Sequence, residues 1–163
     1  MADDADRWRR VLQEHGAALI LFAKQWSATG ADAEDAVQNG FLKFWRNRGR
    51  ARDELAYLYS CVRSAAMDLG RGDQRRRKLI AAEREKPAFE FSADRAEREA
   101  AIELALGQLP GDQREVVIMK IWGGLTFAQI GEALGVPMNT AASRYRYALA
   151  RLHTELSAEV THD

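Results

Sequence analysis

The sequence predicts an all-α protein of two small helical domains joined by a linker, and three observations carry the prediction. Apolar residues recur at helical spacing through residues 4–69 and again through 94–156. No segment sustains the alternation of polar and apolar residues that marks a half-buried strand. Between the periodic stretches lies GRGDQRRRKLIAAEREKPAFEFSA, residues 70–93, with two glycines at its start, four consecutive basic residues and Pro87 near its end. The expected division is a first domain over 1–71, a linker over 72–93, a second domain over 94–157 and a tail over 158–163.

The first helix is expected from Asp4 to Ser27, with Trp8, Leu12, Leu19, Phe22 and Trp26 on one face. The second is expected to start at Asp32 as N-cap, with Asp35 three residues on as a capping-box-like partner. It carries Val37, Phe41, Phe44 and Trp45, and because Asn39-Gly40 falls inside this pattern it does not read as a hairpin turn. A third helix begins near Asp53 and packs through Leu55, Leu58, Val62, Ala65 and Leu69. The second domain opens near Asp94, with Glu97 placed for a capping box. It continues with a helix to Leu109 and another from Pro110 to Trp122.

Residues 126–152, TFAQIGEALGVPMNTAASRYRYALARL, then read as two helices around a tight turn. Thr126 is placed to cap the first of them, and Phe127, Ile130 and Leu134 form its buried face. Ala128 and Gly131 are small enough to let the next helix cross closely. Gly135 stands where a left-handed residue would end the helix, Val136 plugs the turn, and Pro137 fits the start of the next helix. That helix is expected from Asn139 to Leu156, with a core stripe of Ala141, Tyr145, Ala148, Leu149 and Leu152. Thr140, Ser143, Arg144, Arg146 and Tyr147 are left outward, as a helix entering a DNA groove requires. An ordinary helical hairpin is the alternative.

Composition narrows the class. Hydrophobic residues make up 47% of 163, enough for helical cores. No apolar run approaches a membrane span and no signal peptide opens the chain, so a cytoplasmic protein is expected. Cys61 is the one cysteine, set among apolar neighbours as a core residue. His15, His153 and His162 are scattered without metal-ligand spacing, so no metal site is expected. Net charge is zero but segregated. Residues 43–86 hold 13 basic against 6 acidic side chains, residues 1–42 hold 4 against 7, and residues 87–115 hold 3 against 7. A local basic block still attracts phosphate. The acidic flanks suit another partner, or shield that block when no DNA is present.

Three segments together resemble the bacterial sigma factors of the extracytoplasmic-function (ECF) group, the smallest kind, which keep only two domains called regions 2 and 4. DAEDAVQNGFLKFWR (32–46) resembles the helix that docks on the polymerase clamp, and AYLYSCVRSAAMDLGR (56–71) the helix that handles the −10 promoter element. Residues 106–152 resemble region 4 throughout. The resemblance implies a three-helix region 2 and a four-helix region 4 with a helix-turn-helix. It implies binding to core RNA polymerase and promoter DNA and control by an anti-sigma factor, with no enzyme activity, cofactor or small-molecule substrate.

Residue by residue, the resemblance assigns Asp35, Gln38, Asn39 and Leu42 to core polymerase. It assigns Arg46, Arg48, Arg50, Arg52, Tyr57, Arg63, Ser64, Arg71 and Arg75 to the −10 element, with Asp68 a structural partner for a nearby arginine. It assigns Thr140, Ser143, Arg144, Arg146 and Tyr147 to the −35 element, with Lys120 on a phosphate. The chain departs from the family pattern at Tyr57, where tryptophan is usual, at Ser64, where asparagine is usual, and at Cys61, where isoleucine is usual. The loop before Tyr57 is shorter, and basic residues usual at Ala142 and Tyr147 are missing. Tyr147 reads either as a contact to a thymine methyl or phosphate or as half-buried packing. The competing functions are a stand-alone helix-turn-helix regulator and a purely protein-binding scaffold. The first needs a sensor or dimerisation domain that residues 1–71 do not resemble, and the second has no use for the basic block.

Overall fold

The computed structural model describes residues 2–80 and 93–160, and among them every regular element is a helix. Three helices come first: α1 (Ala2–Ala23), α2 (Gly30–Asn47) and α3 (Glu54–Ile80), with a single 3-10 turn at Arg48–Arg50 between the last two. Four follow: α4 (Ala93–Gly107), α5 (Gly111–Val117), α6 (Phe127–Leu134) and α7 (Met138–Val160).

The boundaries that depend on one local bond agree with the sequence reading. Asp53 Oδ1 accepts the Ala56 amide at 2.9 Å and starts α3. Thr126 Oγ1 accepts from the Gln129 amide while the Gln129 side chain accepts the Thr126 amide, closing a full capping box on α6. Gly135, with φ 71°, ends α6 in the left-handed region.

Other boundaries shift. α1 stops at Ala23 rather than Ser27, because the Gln25 and Ser27 side chains take the carbonyls of Phe22 and Ala23. The cap of α2 is Thr29, whose Oγ1 accepts the Asp32 amide, so Asp32 sits in the first turn and serves the helix dipole instead. α3 runs on to Ile80, beyond the expected end at Leu69, through glutamine, arginine and lysine residues that favour helix. α5 continues into a wider π-type turn over Ile118–Trp122 before Gly124, at φ 66°, reverses the chain.

Trp8, Leu19, Phe22, Phe44, Leu58, Tyr59 and Val62 fill the space between the first three helices, with Trp8 edge-on to Phe44 at 4.5 Å. Each such side chain contributes roughly 1.5–3 kcal/mol of hydrophobic stabilisation. Gly40 lets α2 and α3 cross closely, since a Cβ there would stand 2.6 Å from Val62 Cα. Leu106, Leu109, Val116–Met119, Leu125, Ile130, Ala141 and Ala148 form the second core. Gly131 permits the tight turn of α6 into α7, where an added Cβ would meet the Val136 carbonyl at 2.7 Å. Ala128 is exposed and takes no part in that crossing; Leu149, expected in the core stripe of α7, is also exposed.

The two cores meet. α6 packs on α3, and the turn over residues 118–122 packs on α1. Gly123 lies so close to α3 that a Cβ on it would stand 2.8 Å from the Tyr59 hydroxyl. His15 Nδ1 lies 3.1 Å from the same hydroxyl.

Candidate nucleic-acid and polymerase interfaces

Asp35, Gln38, Asn39 and Leu42 recur at helical spacing on α2, and all four are exposed. Their helix buries Ala33, Ala36, Gly40 and Phe44 on the opposite face. Leu42 is 53% exposed, a large apolar side chain standing among polar neighbours. That mixture is what a protein-binding surface presents.

The basic turn after α2 divides into two sets. Arg46, Arg50 and Arg52 are exposed. Arg48 is not available in the same way: its guanidinium reaches Asp4 at 2.9 and 3.1 Å, donates to the Trp45 carbonyl and lies 3.6 Å over the Trp45 ring. Arg48 therefore ties α1 to the end of α2, and its guanidinium holds the Asp4 carboxyl below the usual carboxylate range. Tyr57 is half-buried, its ring 5.9 Å from Phe44 and its hydroxyl facing the Cys61 sulfur. Cys61 is buried, and burial pushes its thiol up, away from reactivity. Ser64 is half-buried on the same helix. The side chains of Arg71 and Arg75 lie outside the described residues.

Arg63 is the informative member of this group. Its Nε donates to Glu115 Oε1 at 3.0 Å, and its guanidinium sits 5.7 Å over Trp26. Glu115 belongs to α5, is only 6% exposed, and was not marked by the sequence reading. Its signal was available: a lone carboxylate opening the apolar run EVVIM at a buried helical register. Burial pushes the Glu115 carboxyl up, against the pull of Arg63 and of nearby Arg144.

On α7 the outward residues surround a groove of about 410 Å³ lined by Asp112, Gln113, Asn139, Thr140, Ser143, Arg144 and Tyr147. Tyr147 is 68% exposed, so the half-buried packing role gives way to an outward side chain. Arg146 is exposed, with a hydrogen bond to Ser143 Oγ at 3.2 Å. Arg144 lies 3.7 Å from Asp112 at the start of α5, and Thr140 and Ser143 are half-buried beside it. Lys120 points inward instead: its ammonium donates to the Leu125 carbonyl at 3.2 Å and stands 4.5 Å over the Phe127 ring, bracing the approach to α6. Asp112, Gln113 and Asn139 join the groove without having been singled out from sequence, because their proximity to α7 is tertiary.

The fold sets an exposed helix face on one unit and a capped helix-turn-helix on the other, and the class of protein that combines them is shown by sequence patterns of the sigma-70 type. The pattern described as Sigma-70 region 2 matches residues 11–76, and that described as Sigma-70, region 4 matches residues 99–152. The ECF RNA polymerase sigma factor SigL of Mycobacterium tuberculosis is 29% identical over 164 residues, covering 95% of this chain and 92% of SigL. SigM of the same organism is 30% identical over 155 residues, covering 93% and 78%. The chain belongs to the ECF RNA polymerase sigma factors. The match of its N-terminal half to region 2 favours this family over a stand-alone regulator.

Two solved structures share the fold. The sigma factor RpoE from Bartonella quintana, crystallised with the anti-sigma factor NepR, superposes with a TM-score of 0.70 at 23% identity, covering 96% of this chain and 98% of that one. CnrH, in complex with the cytosolic domain of CnrY, gives 0.67 at 22% identity, covering 91% and 86%. Among the described residues no helix is long and apolar enough to cross a membrane.

Proposed function

We propose that this chain is a promoter-specificity subunit that binds core RNA polymerase and directs initiation by recognising −10 and −35 elements. The observation that carries the reading is the pairing, in one short chain, of the two sigma-70 patterns in their order. Asp35, Gln38, Asn39 and Leu42 form the polymerase contact, with Leu42 as its apolar anchor. Arg46, Arg50 and Arg52 run along the phosphates near the −10 element, and Tyr57, Arg63 and Ser64 line the site for an unstacked base. Arg144, Arg146, Thr140, Ser143 and Tyr147 read the −35 element, where a bidentate arginine–guanine contact discriminates by about 1–3 kcal/mol.

The domain units are those of residues 1–71, which carry the polymerase and −10 contacts, and 94–157, which carry the −35 contact. The protein has no reaction of its own: it positions a polymerase and helps separate strands. It works in the cytoplasm. An anti-sigma factor is a further partner, in keeping with the capture of the Bartonella RpoE alongside NepR. Co-elution with core RNA polymerase on size exclusion, followed by promoter-dependent initiation in vitro, tests the proposal. A folded chain that fails to co-elute with polymerase refutes it.

A further inference from the structure

The basic stretch between α2 and α3 carries Arg46, Arg50 and Arg52, all exposed, and α1 reaches both of its ends. Asp4 takes the near end: its Oδ2 accepts from Arg48 Nε at 3.1 Å and from Arg48 Nη2 at 2.9 Å. Arg7 takes the far end, donating to Glu54 Oε2 at 2.9 Å where α3 begins. The two residues stand one turn apart on α1, and Arg7 donates to Asp4 Oδ1 at 3.2 Å. Glu54, Arg7, Asp4 and Arg48 therefore form one continuous run of alternating charge that bridges positions 48 and 54.

The run is anchored on packed elements. Trp8, next to Arg7, is buried edge-on to Phe44 at 4.5 Å, which seats α1 on α2. The Arg48 guanidinium lies 3.6 Å over Trp45, and Asp53 caps α3 through the Ala56 amide. Hydrogen bonds inside the stretch are local, such as the Ala51 amide to the Arg48 carbonyl at 3.1 Å. The separation of its two ends is thus set from outside, by α1. Ion pairs this exposed contribute little to stability one by one. Their effect lies in where the turn is held: a short segment pinned at both ends presents its arginines already ordered, which lowers the ordering cost of binding.

We propose that Asp4, Arg7 and Glu54 are positioning residues for −10 recognition: without touching DNA, they hold the turn over residues 46–52 so that Arg46, Arg50 and Arg52 meet the displaced strand in one arrangement. The proposal rests on the sigma-factor reading and on its assignment of this turn to the −10 element. It carries a sign that simple electrostatics cannot reproduce. Asp4 and Glu54 are anions beside a cationic turn, so neutralising either raises the local positive potential and by itself tightens binding to phosphates. Loss of positioning weakens it.

Asp4→Asn and Glu54→Gln in the full chain, each assembled with core RNA polymerase, test this. The probe is a fluorescent single strand carrying the −10 element of a promoter that the parent transcribes, so that the −35 helix takes no part. Both variants are expected to bind this strand about fivefold more weakly than the parent, the cost of ordering one long side chain on binding. Affinity for core polymerase and the slope of strand affinity against salt should match the parent, since no phosphate contact is removed. Asp4→Glu, which keeps the charge on a longer arm, should recover most of the loss. Folded variants that bind the strand as tightly as the parent, or more tightly, overturn the proposal. A lower unfolding midpoint with unchanged strand affinity also overturns it, because the run of charges is then a brace of the fold alone. A parent complex that does not bind the strand removes the −10 assignment of this turn and the proposal with it. A parent chain that forms no complex with core polymerase removes the sigma-factor reading as a whole.

Discussion

Replacing Gly40 by alanine sets two effects of known sign against each other. In a helix interior alanine is favoured over glycine by about 1 kcal/mol. Here the new methyl would stand 2.6 Å from Val62 Cα, 2.7 Å from its amide nitrogen and 2.9 Å from Cγ2. Two of these three atoms are backbone and have no rotamer through which to yield. Restoring ordinary contact requires α2 to lift from α3 by about 1 Å, and a gap of that size forfeits a quarter to a half of each neighbouring dispersion contact. Overpacking of a rigid interior costs about 1–3 kcal/mol, more where backbone must move. The net loss expected is about 1–2 kcal/mol, or roughly 2–8 °C in Tm. Gly16→Ala is the internal control: it lies in α1 with nothing within 4 Å of its added Cβ, and should gain stability from the same propensity. Thermal and urea unfolding of both variants should move in opposite directions. A Gly40→Ala protein as stable as the parent would refute the close crossing.

Arg146→Ala is expected to weaken promoter binding by about 1–3 kcal/mol at fixed salt while leaving core polymerase binding unchanged; the exposed Arg146 guanidinium is held only by a hydrogen bond to Ser143 among the described residues, and equal promoter affinity would remove the assignment. Asp35→Lys with Leu42→Ala should lower polymerase affinity about tenfold or more, since burying one leucine contributes roughly 1.5–3 kcal/mol. Helicity should be retained, and its loss would make these residues structural. Burial pushes the His15 imidazole below its ordinary range, with Glu14 opposing. Because the folded value is depressed, His15 costs nothing while neutral in both states and destabilises the fold as pH falls below the unfolded value. Urea unfolding at about pH 7.5 and about pH 5.5 should show this decline, and His15→Gln should reduce it; an unchanged decline would point to other groups.

The features of the fold that were legible in the sequence are those decided within one helical turn. Thr126, Gly135 and Asp53 act on amides three residues away or on their own φ, so residue type and position suffice. Asn39-Gly40 shows the limit. The surrounding pattern identified helix rather than hairpin, but why a glycine stands there is answered only by Val62 on another helix. Thr29 displaced Asp32 as the cap because both precede the same apolar run and either could bond forward. Leu149 follows the same logic on α7: a stripe drawn from spacing is one residue too wide where the neighbouring helices cover only Ala141, Tyr145, Ala148 and Leu152.

Which cations remain free for nucleic acid is tertiary information, and it changes what the basic block means. Arg48 finds Asp4 forty-four positions away, and Arg63 finds Glu115 fifty-two away; no local pattern announces either. By counterion release each phosphate contact contributes about 0.9 to the slope of log affinity against log salt on duplex, about 0.7 on single strands. Arg50→Ala, at an exposed position, should therefore flatten the salt dependence of holoenzyme–promoter binding by about that amount and leave stability unchanged. Arg48→Ala should do the reverse, losing stability from the Trp45 stack and the Asp4 pair with the slope intact. Measuring both slopes on one promoter separates the two roles. A flattened slope for Arg48→Ala would mean that its bonds to Asp4 open when DNA arrives, and that the turn after α2 rearranges on the promoter.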